Sequence, residues 1–406
     1  MAVATSSLPA FEIGDIIRLH GAELLADDEV RLTWAQRRVL QALPRCRTAQ
    51  LGGHVYGCTS CGHQQIAYNS CRNRHCPKCQ GGRTAAWLER EARWLLPVDY
   101  FHVVFTLPAP VAELGLGSPR VVYDLLLKAV RDTLAEVGAD PRYLGAEVGA
   151  VAVLHTWGQT LQFHPHVHAI VTGGGLACDG KGRRVEPPRW VSCRPGFFLP
   201  VRVLSAVYRR RFLELLRHAH AAGKLHLAGR WSALADAAAF AAWLAPWATR
   251  DWVVYAKAPF AGPEPMLKYL ARYTHRVAIT NHRLLAFADG QVTFAYKDYA
   301  HGGKNRQMTL PAAALVRRFL QHVLPRGFVK VRHFGLWGNR RRQANFDCCR
   351  LLLGVIPPTE AAADLAEPAE IATGARRCPD CGTGLLVVLA ELPRSDRLTA
   401  AAADTS

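Results

Sequence analysis

The sequence predicts an α+β protein in which a small zinc-stapled domain precedes a larger domain of strands and helices. Three observations lead to this class. Segments with the apolar spacing of amphipathic helices are interspersed with segments in which apolar and polar residues alternate, as they do in strands. Closely spaced cysteines are concentrated between residues 46 and 79. Half of the 406 residues are hydrophobic, which is enough for a sizeable core.

The charge balance indicates a polyanionic partner. Lys and Arg number 50 against 32 Asp and Glu, which leaves a formal net charge of +18, and nucleic acid fits this charge most simply. A membrane surface is the weaker alternative, because no apolar run approaches the roughly 20 residues needed to cross a bilayer. The N-terminus lacks the pattern of a signal peptide. The twelve cysteines therefore predict metal ligands rather than disulfides, in a cytoplasmic, nucleoid-associated protein.

Residues 9–44 predict two amphipathic helices. Thr33 and Gln36 stand three apart at the start of the second helix, which is the spacing of a capping box. We expect both helices to pack against the segment that follows them.

The cysteine-rich segment contains two Cys-x-x-Cys pairs. Thiolates at this spacing hold Zn²⁺ tetrahedrally, because the tight turn inside each pair points both sulfurs inward. The predicted structural zinc ligands are Cys58, Cys61, Cys76 and Cys79. Four more residues of ligand type allow either a second zinc site or a buried thiol with histidines at the surface or facing DNA: Cys46, His54, Cys71 and His75.

Helices and strands alternate through the middle of the chain. Pro97 ends a helix, and the prolines after Thr106 end a strand. The predicted elements are a helix at 82–96, a strand from Tyr100, a helix at 120–137, a basic helix at 201–225, an Ala-rich helix at 232–248, a strand from Trp252, a helix from Pro265, short strands between 284 and 310, a helix at 311–323 and a strand at 328–334.

Four histidines fall within the stretch from His155 to His168. The alternating apolar residues around them predict two strands joined by a hairpin near Gln159–Pro165. His166 and His168 are two apart and leave one face of their strand, and His155 lies on the neighbouring strand. Three imidazoles could meet there as a catalytic divalent-metal site, whereas His164 precedes Pro165 at the turn and should point elsewhere. The alternative is a set of separate, hydrogen-bonded histidines.

Tyr269 and Tyr273 are four apart on the helix that begins at Pro265. Both hydroxyls should therefore project from one helical face. Two packing tyrosines are the alternative, but the basic residues around them favour contact with DNA. The candidate DNA-binding residues of the whole chain are Arg72, Arg74, Lys78, Arg209, Arg210, Lys268, Arg272 and Arg276.

The end of the chain predicts a linker, a third knuckle and a disordered tail. Cys378 and Cys381 form the knuckle, and Cys348 with Cys349 could complete its ligand set. The predicted domains are 1–96, helical, zinc-binding and DNA-contacting; 97–357, catalytic; and 358–406, linker, knuckle and tail.

A metal site beside paired tyrosines on a basic chain suggests one reaction class. Tyrosine is a weak nucleophile at neutral pH because its pKa is near 10. A divalent cation polarising a phosphodiester would let the phenolate displace the 3′ hydroxyl and keep the 5′ phosphate as phosphotyrosine. A second tyrosine would allow another cleavage while the first link persists.

Several motifs resemble the two-tyrosine HUH transposases of bacterial rolling-circle insertion sequences. The motifs are FHVVFTLP, VLHTWGQTLQFHPHVHAIVTGGG, KYLARYTHRVAIT and FGLWGNRRR, and the cysteine-rich segment is similar to the zinc-binding domain that precedes the catalytic domain in that family. The resemblance implies an HUH-endonuclease antiparallel sheet flanked by helices, with His166 and His168 as metal ligands and Tyr269 and Tyr273 as nucleophiles. His155 matches a third ligand of related relaxases by spacing.

The resemblance also implies partners and cofactors. The expected substrates are single-stranded DNA at the element ends and target DNA, with catalytic Mg²⁺ or Mn²⁺ and one or two structural Zn²⁺. Because the chain has no Gly-x-x-x-x-Gly-Lys-Ser/Thr motif, unwinding should come from host factors or supercoiling. The alternatives are a rolling-circle replication initiator or relaxase, and a non-catalytic zinc DNA-binding protein.

Overall fold

The computed structural model describes residues 11–26, 31–257, 265–266, 269, 277–355 and 376–395. Its helices are α1 (Ile13–Ala26), α2 (Trp34–Ala42), α3 (Gln80–Ala92), α4 (Ala109–Gly117), α5 (Pro119–Ala139), α6 (Val201–Ala221), α7 (Ala237–Thr249), α8 (Ala312–Leu320) and α9 (Arg342–Leu352). Its strands are β1 (Gly53–Cys58), β2 (Gln64–Tyr68), β3 (Tyr100–Thr106), β4 (Ala146–Trp157), β5 (Phe163–Ala177), β6 (Trp190–Ser192), β7 (Val254–Lys257), β8 (Leu284–Ala288), β9 (Gln291–Asp298), β10 (Lys304–Pro311), β11 (Val331–Gly335), β12 (Arg376–Arg377) and β13 (Leu385–Leu392). Helices together with antiparallel sheets confirm the predicted α+β class. The predicted linker and tail lie outside the described residues.

The chain divides into two compact units that are not consecutive in sequence. The first unit comprises residues 1–81, 279–320 and 358–406, and the second comprises residues 82–278 and 321–357. The prediction of three consecutive domains, 1–96, 97–357 and 358–406, differs from this division. Residues 279–320 join the first unit because α8 packs on α1 and the Ile13 backbone N–H donates to the Asn281 side chain at 3.3 Å. Such distant contacts leave no local pattern in a sequence.

An antiparallel sheet forms the centre of the second unit. Its strand order is β11-β4-β5-β3-β7, and β6 pairs with the far end of β5. The long pair β4 and β5 is connected by residues 158–162, which confirms the predicted hairpin.

The two faces of this sheet carry different side chains because successive residues of a strand point to opposite faces. One face buries Val103, Leu154 and Val167 under α5 and α6. The opposite face buries Val153, Ile170 and other apolar residues together with Trp337 and Phe346. Histidines at alternate positions of β3, β4 and β5 fall on this second face, so strand periodicity alone gathers them.

The first unit is built from smaller sheets and short helices. One sheet has the order β12-β13-β1-β2, and another has the order β10-β9-β8. The Thr33 and Gln36 side chains exchange hydrogen bonds with the backbone at the start of α2, which confirms the predicted capping box. Within the described residues, no helix is both long and apolar enough to cross a membrane.

Candidate functional site

The structure brings the three predicted histidine ligands together. His155 in β4 lies directly opposite His166 in β5, and His168 follows two residues later on the same face. One ligand nitrogen from each of the three lies within 4.8 Å of the other two. His155 and His168 are buried, and the Trp157 ring stacks on that of His155 with centroids 4.5 Å apart. The cluster therefore sits at the edge of an apolar surface.

The atoms of this cluster suit a divalent cation. The Nε2 atoms of His166 and His168 are 3.0 Å apart. Two ligands about 2.1 Å from an octahedral ion and at right angles to each other are separated by about 3.0 Å. Burial lowers the pKa of His166 to about 4, so its imidazole is neutral at pH 7, as a ligand must be.

The His164 backbone fixes the orientation of the His166 ring. His166 Nδ1–H donates to the His164 carbonyl at 2.7 Å, which leaves Nε2 of His166 aimed at the cluster. The sequence predicts His164 at the turn of the hairpin, and this placement is wrong, because His164 lies within β5. Its side chain is nevertheless not part of the three-histidine group.

His102 connects the cluster to Tyr269, and sequence reasoning missed it. His102 lies in β3, is 2 % exposed, and places its Nε2 2.8 Å from Nδ1 of His168. Its Nδ1 is 3.2 Å from the Tyr269 hydroxyl. Burial, followed by the charges of Lys257 and His166, lowers the pKa of His102 to about 3. A polar residue inside the apolar alternation of FHVVFTLP was the signal that could have identified it.

Of the two predicted nucleophiles, Tyr269 lies within the residues that the structure describes. Its ring packs edge-on against His102, with centroids 5.0 Å apart, and Lys257 Nζ lies 5.9 Å from the ring centroid. The hydroxyl thus stands one imidazole away from His168. The other predicted residues of this helix lie outside the described residues: Tyr273, Lys268, Arg272 and Arg276.

The cysteines form two four-thiol clusters with a different membership from the predicted one. One cluster contains Cys46, Cys71, Cys76 and Cys79, and the other contains Cys58, Cys61, Cys378 and Cys381. The predicted site of Cys58, Cys61, Cys76 and Cys79 is therefore wrong as a group. Cys58 and Cys61 lie at the turn between β1 and β2. Cys76 and Cys79 lie beyond the other, open end of that hairpin. The six residues of β1 hold these two ends on the order of 16 Å apart.

The cluster at the open end of the hairpin fits a tetrahedral zinc ion. Its Sγ atoms are separated by 3.6 Å between Cys46 and Cys79, 3.7 Å between Cys71 and Cys79, and 3.5 Å between Cys46 and Cys76. Zn–S bonds of about 2.3 Å place tetrahedral sulfurs about 3.8 Å apart. Hydrogen bonds from Cys71 and Cys76 hold the pKa of Cys46 far below its usual value.

The remaining predicted ligands lie elsewhere. His54 in β1 packs its ring against Tyr56, and His75 lies before α3 with its backbone N–H donating to Asn73. Neither histidine belongs to a described cluster. Of the predicted set of Cys46, His54, Cys71 and His75, the two cysteines therefore share a cluster and the two histidines were wrong. Cys348 and Cys349 lie in α9 of the second unit and do not complete the third knuckle.

Several predicted DNA-binding residues already have acidic partners. Lys78 Nζ lies 2.5 Å from Glu12, and Arg210 lies 2.5 Å from Glu136. Arg209 donates to the Arg250 carbonyl and lies 3.4 Å from Asp251. Arg72 lines a cavity of about 430 Å³ together with three other arginines, Arg38, Arg45 and Arg394.

Comparison with known proteins identifies the family. Residues 149–344 match the family model described as "Putative transposase", and residues 16–107 match "Transposase zinc-binding domain". The chain is 48% identical over 384 residues to "Putative transposase y4qJ" of Sinorhizobium fredii (strain NBRC 101917 / NGR234), covering 93% of this chain and 94% of the relative. The chain belongs to a family of transposases.

A second relative extends the comparison of this transposase. It is 28% identical over 301 residues to "Transposase for insertion sequence element IS801" of Pseudomonas savastanoi pv. phaseolicola, covering 73% of this chain and 68% of the relative. No solved structure matches the chain. Membership of this family makes the transposase an enzyme that cleaves and transfers DNA strands. All four cysteines of the cluster at the open end of the hairpin lie in the matched zinc-binding domain.

Proposed function

We propose that this transposase nicks and rejoins single-stranded DNA at the ends of its insertion sequence, with Tyr269 as the nucleophile. His155, His166 and His168 would hold a divalent cation, Mg²⁺ or Mn²⁺. The observation that carries the proposal is that a single buried imidazole, His102, spans from the three-histidine cluster to the Tyr269 hydroxyl. When bound, the cation supplies a Lewis acid that polarises the phosphate under attack.

The covalent step conserves the energy of the phosphodiester. The Tyr269 phenolic oxygen bonds to phosphorus and the bond from phosphorus to the 3′ oxygen breaks. The phenol releases its proton to solvent water, and the leaving 3′ oxygen takes up a proton from solvent and becomes a hydroxyl. The 5′ phosphate remains on the tyrosine, so a 3′ hydroxyl can reverse the step and join strands without ATP.

The hydrogen-bond directions at His102 follow from the cluster. When Nε2 of His168 serves as a ligand, its Nδ1–H donates to Nε2 of His102. The proton of neutral His102 then lies on Nδ1, which donates to the Tyr269 oxygen. His102 therefore positions the phenol and stabilises the phenolate as it forms.

Replacing His102 by glutamine is expected to slow nicking about 10–100-fold, the usual loss of activity when a hydrogen-bonding group behind a metal site is removed, because the contact with the Tyr269 hydroxyl is lost. The glutamine amide can still reach His168 but not Tyr269, so the affinity for Mn²⁺ should change little. Single-turnover nicking and Mn²⁺ titration measure the two effects. His220→Asn, which removes another imidazole of the second unit far along α6, is the matched control. A His102→Gln protein that nicks at the wild-type rate would show that His102 has no such role.

The proposed function is tested by covalent capture of DNA. Full-length protein is mixed with a single-stranded oligonucleotide carrying the element end, and the adduct is read on a denaturing gel. EDTA should abolish the adduct, and Mn²⁺ or Mg²⁺ should restore it. His166→Ala should reduce it by more than the roughly 10–100-fold that loss of a group merely orienting a metal ligand costs, whereas His218→Ala on the exposed side of α6 should not. DNA binding without an adduct in any divalent metal would point to the non-catalytic alternative.

A further inference from the structure

The second cysteine cluster is formed by two matching turns from opposite ends of the chain. Each turn reads Cys-x-x-Cys-Gly, at Cys58–Gly62 and at Cys378–Gly382. The glycines have φ values of +71° and +68°, a left-handed conformation that favours glycine. The first cysteine of each turn donates its backbone N–H to a carbonyl just beyond the turn, to His63 at 2.8 Å and to Gly384 at 2.7 Å. Both turns therefore have the geometry of a metal-binding knuckle.

The sulfur atoms of the two knuckles are spaced for a shared metal ion. Cys58 Sγ is 3.7 Å from Cys381 Sγ, and Cys61 Sγ is 3.7 Å from Cys378 Sγ. A disulfide would bring such atoms to about 2.05 Å, whereas tetrahedral zinc separates its sulfurs by about 3.8 Å. The backbone N–H groups of Ser60 and Gly384 donate to the sulfurs of Cys58 and Cys381, at 3.4 and 3.3 Å. Such bonds stabilise thiolates.

We propose that Cys58, Cys61, Cys378 and Cys381 bind a structural Zn²⁺ that fastens the C-terminal strand to the N-terminal sheet. A tetrahedral set of four thiolates selects zinc among the abundant divalent ions. The matched zinc-binding domain ends at residue 107, so half of this ligand set comes from outside it. The inference does not depend on the nicking chemistry.

The strand held by this site is retained mainly by backbone pairing and buries little apolar surface. β13 pairs with β1, and the Thr59 backbone N–H donates to the Leu385 carbonyl at 3.0 Å. Leu386 of β13 is buried, but Leu385, Val387 and Leu389 are each more than 40 % exposed. A strand that buries so little apolar surface gains little from the hydrophobic effect. A metal ion that bridges the two knuckles would add binding free energy that stabilises the pairing of β13 with β1, as zinc stabilises small domains.

Metal content of the full-length protein tests the site. The C378S/C381S double variant is expected to lose one zinc equivalent per chain relative to wild type, measured by mass spectrometry of the metal. C348S/C349S is the matched control, because it also removes two cysteines but neither belongs to a described cluster. In the Co²⁺-substituted protein, the thiolate-to-metal absorbance should fall by half in C378S/C381S, since the other cluster supplies the remainder.

Further variants separate loss of ligands from loss of folding. C58S/C61S should lose the same equivalent, and combining it with C378S/C381S should lose no more. Cys381→His should retain the zinc, because three cysteines and one histidine also form a closed zinc site. An unchanged zinc content and cobalt spectrum in C378S/C381S would overturn the proposal, as would iron in place of zinc. None of these outcomes bears on whether Tyr269 forms an adduct.

Discussion

Replacing Tyr269 and Tyr273 together by phenylalanine is expected to reduce the covalent protein–DNA adduct by about 10³-fold or more, the scale seen when a catalytic nucleophile is removed. Phenylalanine keeps the ring that packs on His102 and removes the oxygen that would attack phosphorus. The measurement uses single-stranded end DNA labelled at its 3′ end, since the 5′ phosphate of that fragment would stay on the protein.

The single variants and one control sharpen this test. Tyr269→Phe alone should lose the first nick if Tyr269 acts first, and Tyr273→Phe should lose it if the order is reversed. Tyr255→Phe, at an exposed position on β7, should leave the adduct unchanged. An adduct that persists in the double variant means that the nucleophile is another residue, while loss of the adduct with retained DNA binding supports the proposal.

Replacing Cys76 by serine is expected to unfold the first unit while the sheet of the second unit remains intact. Cys76 is buried in the cluster with Cys46, Cys71 and Cys79. Zinc bound by four thiolates contributes about 10–16 kcal/mol to the folding of small zinc domains, which is as large as the whole stability of a typical domain, about 5–15 kcal/mol. Loss of one buried ligand therefore weakens a contribution that is comparable to the whole stability of a typical domain.

Hydrogen exchange resolves this effect by segment. Protection of β1 and β2 should disappear in the Cys76→Ser protein, together with one zinc equivalent, while β4 and β5 keep their protection. Cys193→Ser removes a half-buried thiol that lies outside the described clusters and should change neither measurement. Equal loss of protection in β4 and β5 would contradict independent folding of the two units.

The histidine site could be predicted because strand geometry is local. Side chains two apart on a strand share a face, so His166 and His168 had to converge once β5 was recognised. His155 then needed only a hairpin of the right length, which the apolar alternation indicated. His102 could not be placed beside the cluster in this way, because its neighbour β5 lies far along the chain and strand spacing alone does not tell which strand β3 pairs with.

The grouping of the cysteines could not be read from their spacing. Each Cys-x-x-Cys pair offers half of a tetrahedral site, and nothing within the pair selects its partner. The choice is made by the β1–β2 hairpin, which separates Cys58 and Cys61 from Cys76 and Cys79, and by β13, which brings Cys378 and Cys381 alongside. The same long-range pairing explains why the predicted domain boundaries differ from the observed units.

Because β13 lies near the C-terminal end of the chain, β1 is synthesised long before the strand it pairs with. At the usual rate of translation, about 5–20 residues per second, roughly 15–65 s pass between synthesis of β1 and synthesis of its partner strand. During that interval the nascent chain can complete the β4–β5 hairpin while one edge of β1 still lacks its neighbour. An open strand edge invites pairing with other chains. A ribosome that stalls before residue 376 therefore releases a product that chaperones and proteases can recognise.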